Sequence, residues 1–331
     1  VSPSPPGDWL ASVLIVNYNG RHHLDACLRA LAAQDLPRHR FEVIVADNGS
    51  SDGSVEFLRE HFPWARTVAF GENLGFAEGN NRALEYAHGD LIALLNNDTR
   101  PHPGWLGELV RVLLADPTTG GVASKLVLRD EPGVLNSAGL LLLRDGRGAD
   151  RGFRRPDRGQ YDRTEEVFGA CGASVLLRRS MIDDVGLFDR RFFMYYEDLD
   201  LAWRGRLRGW RFLFAPRSVV QHAHCATAGE WSPFFAFHVE RNRVLTSLKN
   251  AAFFPAFWAV VGGGLRVARA WLRLAGRRPP GLTARHGWSL TRALVSVFRL
   301  LPGVLCDRYR IRVARRKVPD GAVNRWVRRA A

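Results

Sequence analysis

Cysteine is scarce, long hydrophobic runs are missing, and one stretch of chain has almost no acids. The four cysteines among 331 residues, Cys27, Cys171, Cys225 and Cys306, show no CxxC and no metal-ligand spacing. That excludes a zinc ribbon and argues against a disulfide scaffold, leaving idle thiols in a reducing compartment. Ala251–Leu265, 15 residues without a charge, contains Pro255 and three glycines. A bilayer span takes about 20 apolar residues, so this run is expected to lie at an interface or re-enter, not to cross. Val1–Asp8 has neither a basic start nor an apolar stretch, and no secretory leader is expected. No GxGxxG follows the first strand-like run and no GxxxxGK[ST] occurs anywhere, so neither a dinucleotide fold nor a P-loop is supported. Residues 251–331 carry 17 Arg/Lys against 2 acids, while residues 1–250 carry 30 against 31. The formal charge of +14 therefore belongs to the C-terminal part, and any argument from charge concerns that part alone.

What is present is globular: 46% hydrophobic and 24% charged residues. Ser12–Asn17, Phe41–Ala46, Thr67–Phe70 and Asp90–Leu95 are short apolar runs of the kind that form buried parallel strands. Between them lie helical stretches: one with Leu24, Cys27, Leu28 and Leu31 on one face, one to about Phe62, and one ending near His88-Gly89. Strand alternating with helix, and no hairpin signal, predicts a mostly parallel, doubly wound α/β sheet. In such sheets ligands bind beyond the carboxyl ends of the strands. Asn17 and Asn19, Asp47, Asn73, and Asn97 and Asp98 follow the four strands in turn. Each alone reads as a cap or turn residue; four positions on one rim point to a site.

The order of several short words gives that site a family likeness. Val16-Asn-Tyr-Asn19, Ala46-Asp-Asn-Gly-Ser-Ser-Asp52, Glu72-Asn-Leu-Gly-Phe-Ala-Glu-Gly-Asn-Asn81 and Leu95-Asn-Asn-Asp-Thr99 come first. Gly169-Ala-Cys-Gly-Ala-Ser174, Phe188-Asp189, Tyr196-Glu-Asp-Leu-Asp-Leu-Ala-Trp-Arg204 and Pro216-Arg-Ser-Val-Val-Gln-His222 follow. The chain resembles family 2 glycosyltransferases of the GT-A fold, in their bacterial rhamnosyltransferase-like branch, over about residues 10–250.

The resemblance implies a transfer from a nucleoside diphosphate sugar. Such chemistry needs a nucleoside pocket, charge to stabilise the departing diphosphate, and a base for the acceptor hydroxyl. Asp47 would accept from the imide N–H of uracil or thymine, with Asn17, Asn19, Asn73 and Asn97 lining the nucleotide pocket. Asp98 would hold Mg²⁺ or Mn²⁺, since a diphosphate-bound divalent cation takes hard oxygen donors. Here the sequence departs from the commoner DxD form, reading Asn96-Asn97-Asp98 with one carboxylate. His222 is the second metal ligand by the same match, with His224, two residues on, as its competitor. Asp198 is the base implied by the Glu-Asp pair. Acids in a helix's first turn also favour the macrodipole without catalysis, and Asp200 is expected to be such a residue. Gly172, Ala173, Glu197 and Trp203 would stand near the acceptor. With one base and no partner for a covalent intermediate, the expected course is inverting.

Residues 251–331 are read as a separate helical region, basic and aromatic, following a catalytic domain over 1–250. Trp258, Trp271 and Trp288 are interleaved with Arg266, Arg269, Arg273, Arg277 and Arg278, and Leu290, Leu294, Val297 and Leu301 share one helical face. Such segments lie on anionic membrane surfaces; the alternative is a stripe packed on the catalytic domain with solvated arginines. No nucleic-acid module accompanies these charges. The branch resembled commonly extends a sugar on a polyprenyl diphosphate, which implies a glycan or lipid-linked acceptor, a cytoplasmic enzyme peripheral on the inner face of the plasma membrane, and a role in surface polysaccharide synthesis. The donor is a UDP- or dTDP-sugar. Two other readings stand beside this one: a sugar-phosphate nucleotidyltransferase, and a non-enzymatic membrane or polyanion binder.

Overall fold

The computed structural model describes residues 8–223, 232–276 and 283–328. Its first part follows the apolar patterning closely. Strands β1 (Ala11–Asn17), β2 (Phe41–Asp47), β3 (Arg66–Ala69) and β4 (Leu91–Leu95) alternate with helices α1 (Arg21–Ala32), α2 (Ser54–His61) and α3 (Gly75–Leu84). β1 lies between β2 and β4, and β3 flanks β2, all parallel. Successive side chains of these strands feed opposite cores. Leu14, Ile44 and Leu94 pack with Ala77 and Ala83 of α3, while Val13, Ile15, Val43 and Val45 pack with Leu24, Leu28 and Leu58. The third helix stops earlier than its pattern suggests. The amides of Tyr86 and Ala87 bond to carbonyls three residues back, so the final turn tightens and the helix ends at Leu84.

Beyond residue 98 the sheet becomes mixed. β5 (Thr99–Pro101), α4 (Trp105–Leu114), β6 (Thr119–Leu128), β7 (Leu135–Ser137), β8 (Leu140–Leu143) and β9 (Gly148–Asp150) come in turn. After them run β10 (Glu165–Glu166), β11 (Ser174–Arg178), α5 (Arg179–Val185), α6 (Glu197–Arg208) and β12 (Arg211–His222). β11 is inserted antiparallel between β4 and β6, and β12 pairs parallel with β6 and antiparallel with β5. The order is β10-β12-β6-β11-β4-β1-β2-β3. This arrangement decides where the chemistry lies, because His222, the last residue of β12, pairs directly with Thr99.

The C-terminal part is helical, as expected. α7 (Pro233–Asn250) starts where the Ser232 hydroxyl accepts from the Phe235 amide at 3.1 Å. α8 (Phe253–Ala275) and α9 (Ala284–Tyr309) pack on it, followed by a π-turn (Arg310–Ala314), α10 (Asp320–Asn324) and β13 (Val327–Arg328). β13 pairs with β8. Arg266 bonds Glu240 of α7 at 2.8 Å, and Arg308 bonds the carbonyls of Leu248 and Ala251. Val297 is buried and Leu294 faces Gly263 of α8, so the predicted stripe of α9 packs inward. A second apolar face is left outside: Phe254 is 72% exposed, Trp258 63%, Leu272 72% and Phe298 55%. Ala284–Ala314 is long and apolar enough, by length and composition, to cross a membrane. The uncharged stretch Ala251–Leu265, by contrast, supplies only the first half of α8. Arg277, Arg278, His224 and Cys225 lie outside the described residues, and Cys27, Cys171 and Cys306 are free thiols.

Candidate active site

The carboxyl ends of β1, β2 and β4 converge on one polar cluster. Asn17, fully buried, donates from Nδ2 to Asp47 at 2.9 Å and to the Ser50 hydroxyl at 3.2 Å. Its Oδ1 accepts from Asn97 Nδ2 at 2.7 Å. Asp47 also accepts from the amide and the hydroxyl of Ser50, at 2.8 and 2.6 Å. Three donors hold the carboxylate rigid, and Oδ1, with a single donor, keeps a lone pair for an outside group. Asn19 stands at the mouth with φ +50°, accepting from the Ser51 amide while its own amide bonds Ser50. Asn73 is brought to the rim but not into this network. It is exposed, and its Oδ1 accepts from the Gly75 amide at 2.9 Å, bracing the start of α3. Asn17, Asp47 and Asn97 thus form one bonded unit that Asn73 only borders.

The strand pairing that sets His222 opposite Thr99 also brings it to Asp98. His222 Nε2 is 3.3 Å from Asp98 Oδ1, both side chains nearly buried. On the far side of the ring, Nδ1 lies 2.6 Å from Asn136 Oδ1, an acceptor, so Nδ1 carries the proton. Nε2 therefore faces Asp98 either with a second proton or with its lone pair. Asp98 Oδ1 is shut off from solvent and has no hydrogen-bond partner among the described residues. An imidazole nitrogen and an orphaned carboxylate oxygen aimed at one point fit a divalent cation, and Asn136 orients the imidazole as outer partners of metal-bound histidines do. The described residues contain no group of three or more His, Cys, Asp or Glu side chains fit to hold a metal. A cation here would take its remaining ligands from phosphate or water. His23 lies within the field of Asp98, Arg100 and Arg129; burial and then His22 hold its pKa below the ordinary imidazole value. These neighbours, and Asn136, carry no motif and were invisible in the sequence.

Asp198 lies in the first turn of α6. The chain enters α6 through three non-glycine residues at positive φ, Phe193, Tyr195 and Tyr196. Asn242 of α7 clamps this approach by donating to the carbonyls of Phe192, Met194 and Tyr195. Strained backbone held by its surroundings is common at functional sites. Asp198 then accepts from the Gly172 amide at 3.1 Å and from the Leu199 amide at 2.7 Å. Burial nonetheless raises its carboxyl above the usual range. Glu197 is buried, its Oε2 has no hydrogen-bond partner among the described residues, and burial followed by the Asp198 charge raises it well above its ordinary value. Asp150, at the end of β9, is pushed up to about 6, chiefly by burial, with the Asp198 charge adding and a Ser137 bond opposing. This third carboxyl was not anticipated, since residues 144–166 have neither periodicity nor a motif. Gly172, with Ala173 next in the chain, lies beside Asp198: a Cβ on Gly172 would meet Phe76 at 3.3 Å and Asp198 at 3.7 Å. Trp203 faces elsewhere: it packs edge-on against Phe168 and lines a separate cavity beside β8. Asp200 is more than a helix-start residue, for it bonds Arg204, Lys249 and Asn250 and ties α6 to α7.

A family model, Glycosyl transferase family 2, matches residues 12–186. An N-acetylglucosaminyl-diphospho-decaprenol L-rhamnosyltransferase of Mycobacterium tuberculosis is 30% identical over 298 residues, covering 80% of this chain and 95% of the relative. A pre-mycofactocin glycosyltransferase of that organism is 29% identical over 243 residues, covering 71% of this chain and 47% of the relative. Among solved structures, a mannosyltransferase from Pyrobaculum calidifontis in complex with GDP-Man and Mn²⁺ superposes with a TM-score of 0.56 at 20% identity, covering 90% of this chain and 89% of its own. GalNAc-T7 with UDP, GalNAc and Mn²⁺ gives a TM-score of 0.63 at 13% identity, covering 91% of this chain and 57% of its own. The fold is accordingly of the GT-A type, with a helical C-terminal region.

Proposed function

The chain belongs to glycosyl transferase family 2 and is a glycosyltransferase; on that premise we propose that it moves a sugar from a UDP- or dTDP-sugar by a single inverting displacement. Rhamnose is the sugar that the M. tuberculosis relative's name favours, and a lipid-linked or glycan acceptor agrees with the same name. One observation carries the reading. Asp198, at the start of α6, accepts from the Gly172 amide, and the next residue, Ala173, accepts from the Asn96 amide, which ties this carboxyl to the strand end that carries Asn97 and Asp98.

In this reading Asp47 and Asn17 hold the pyrimidine, and Asn97 couples that pocket to the phosphate side. Asp98 and His222 would hold Mg²⁺ or Mn²⁺, which when bound neutralises charge on the diphosphate leaving group. Asp198 removes the acceptor proton. The Gly172 amide fixes one of its oxygens, and burial gives the carboxylate a basicity closer to neutral pH, where a general base works best. Gly172 and Ala173 let the acceptor approach backbone. Glu197 stands beside the base, its own carboxyl raised by burial and then by the Asp198 charge. The region 251–331 is read as the membrane-facing part of a cytoplasmic enzyme, its exposed aromatics and arginines meeting an anionic inner leaflet. Family membership removes the grounds for a nucleotidyltransferase or a non-catalytic binder.

Calorimetric titration of UDP and dTDP, with and without Mn²⁺, tests the donor site on wild type and Asp98→Ala. The expected result is metal-dependent binding that the variant loses. Absence of nucleotide binding under every condition would sink the proposed donor site. The anomeric configuration of the product, read by NMR, tests inversion.

A further inference from the structure

A cavity of about 690 Å³ lies between the segment that joins α5 to α6, the C-terminal half of α6, and the end of α9 with its π-turn. Small-molecule sites run from about 300 to 1,000 Å³, so it has room for more than a simple ion. Its lining is lopsided in charge: seven Arg or Lys side chains against three acids. The acids are already committed. Asp184 holds Arg208 and accepts from the Trp210 indole, Asp189 holds Arg191 and Lys249, and Asp307 holds Arg191. Arg204 is taken by Asp200 and by the carbonyls of Gly186 and Leu187. Arg190, Arg310 and Arg315 are left over. All three are exposed, and none makes an ion pair among the described residues.

The backbone sets these three together. Residues five apart on an α-helix point about 140° away from one another. Here the Arg315 amide bonds the Arg310 carbonyl at 3.0 Å, and this wider turn carries both side chains to one cavity. Arg190 arrives from a distant part of the chain, opening the single turn Arg190–Phe192 that precedes the strained approach to α6. Arg191 bonded to Asp307, and Arg208 bonded to the Arg315 carbonyl, fasten the two segments to each other. The unpaired arginines are therefore held near one another despite their like charge, and an anion between them relieves the repulsion.

We propose that this cavity binds a phosphate monoester at a site separate from the donor pocket, with Arg190, Arg310 and Arg315 as its ligands. A guanidinium meets phosphate through two parallel N–H donors. Three such forks suit a dianion with three terminal oxygens better than a carboxylate with two. Arg204 and Arg208 stand six and ten residues beyond Asp198 on α6, about 9 and 15 Å of rise, so the site lies towards the other end of that helix from the base. The inference does not depend on the donor reading. The monoester comes either as a soluble molecule or as the head of phosphatidic acid, whose chains would run along exposed Leu305 and Tyr309 of α9. Either way, its occupant joins the entry to α6 to the C-terminal helices.

The test titrates the full chain calorimetrically in EDTA, which keeps metal-held phosphate out of the signal. Glycerol 3-phosphate probes for a soluble ester, and phosphatidic acid vesicles, with phosphatidylcholine vesicles as reference, probe for a lipid head. Arg190→Gln/Arg310→Gln/Arg315→Gln is compared with wild type and with Arg269→Gln/Arg273→Gln/Arg285→Gln. The second set removes the same charge from exposed positions on α8 and α9. The cavity variant should bind at least about tenfold more weakly than wild type, and the control variant less than about twofold. It should also melt no lower than wild type, since it loses only exposed, unpaired charges; if it does melt lower, Arg310→Gln alone takes its place. Binding of glycerol 3-phosphate supports a soluble ligand, and binding confined to phosphatidic acid supports a lipid head. Failure of wild type to bind either probe, or an equal loss in the control variant, would overturn the proposal.

Discussion

Asn136 shows how much one unremarkable residue can control. Its Oδ1 fixes the tautomer of His222, and through that ring the donor atom that faces Asp98. Asn136→Ala should weaken Mn²⁺ affinity, measured with nucleotide present, by about 10–100-fold while the fold persists. Asp198 makes a different prediction. Asp198→Asn should abolish transfer and keep nucleotide binding; loss of both would assign it a structural role. Since burial raises its carboxyl, the base is ionised only above that raised value. kcat/KM should therefore fall on acidification at a pH above the ordinary aspartate value of about 3.9. Asp98, His222 and Asp198 were legible because each falls within a recognisable word. Asn136 and Asp150 were not, because their roles come from strand register, which brings distant chain segments to one point. Trp203 was read to the acceptor side from its place in a word, but a helix turns 100° per residue, and its indole meets a different cavity.

At the scale of elements, α6 depends on a buried charge cluster. Asp200 is fully buried and bonded to Arg204 at 2.8 Å, Lys249 at 2.9 Å and Asn250 at 2.7 Å. Removing this carboxylate leaves buried Lys249 with Asp189 as its remaining ion-pair partner and Arg204 with backbone carbonyls, so Asp200→Ala should destabilise by about 3–5 kcal/mol in urea unfolding. Burial alone would raise this carboxyl, yet Lys249 and Arg204 outweigh it and hold it below the usual range. Its contribution is then full above the unfolded value of about 3.9 and lost as pH falls below it. The parallel strands β1, β2 and β4 were readable as continuous apolar runs because both faces are buried. The middle of the chain, β7 to β10, was not: these strands have two to four residues each, too few for a period to show.

At the scale of the whole molecule, the C-terminal helices present two different faces. One face packs on α7, while another presents Phe254, Trp258 and Leu272 outward. A protein held at a membrane by this face should bind phosphatidylglycerol vesicles in a cosedimentation assay. Phe254→Ser with Trp258→Ser should remove most of that binding at any salt concentration. High salt alone should remove only the part due to arginines, whose attraction is screened within about 10 Å at 0.1 M. Unchanged vesicle binding in the double variant would deny the aromatic face this role. Sequence composition located the charge and aromatics correctly, but the split between inward and outward faces depends on which neighbour each helix meets.

The pairing of β13 with β8 joins Val327 to Leu142 across most of the chain. Closing so long a loop is entropically costly, and contacts of such separation form late. The polar rim at the ends of β1, β2 and β4, drawn from the first hundred residues, depends on local crossovers and early pairings. The rim and the wall where β13 meets β8 therefore mature at different times during folding. An immature molecule would acquire its rim before the cavity beside β8 is walled in, and hydrogen exchange during refolding should protect β1 and β2 before β13.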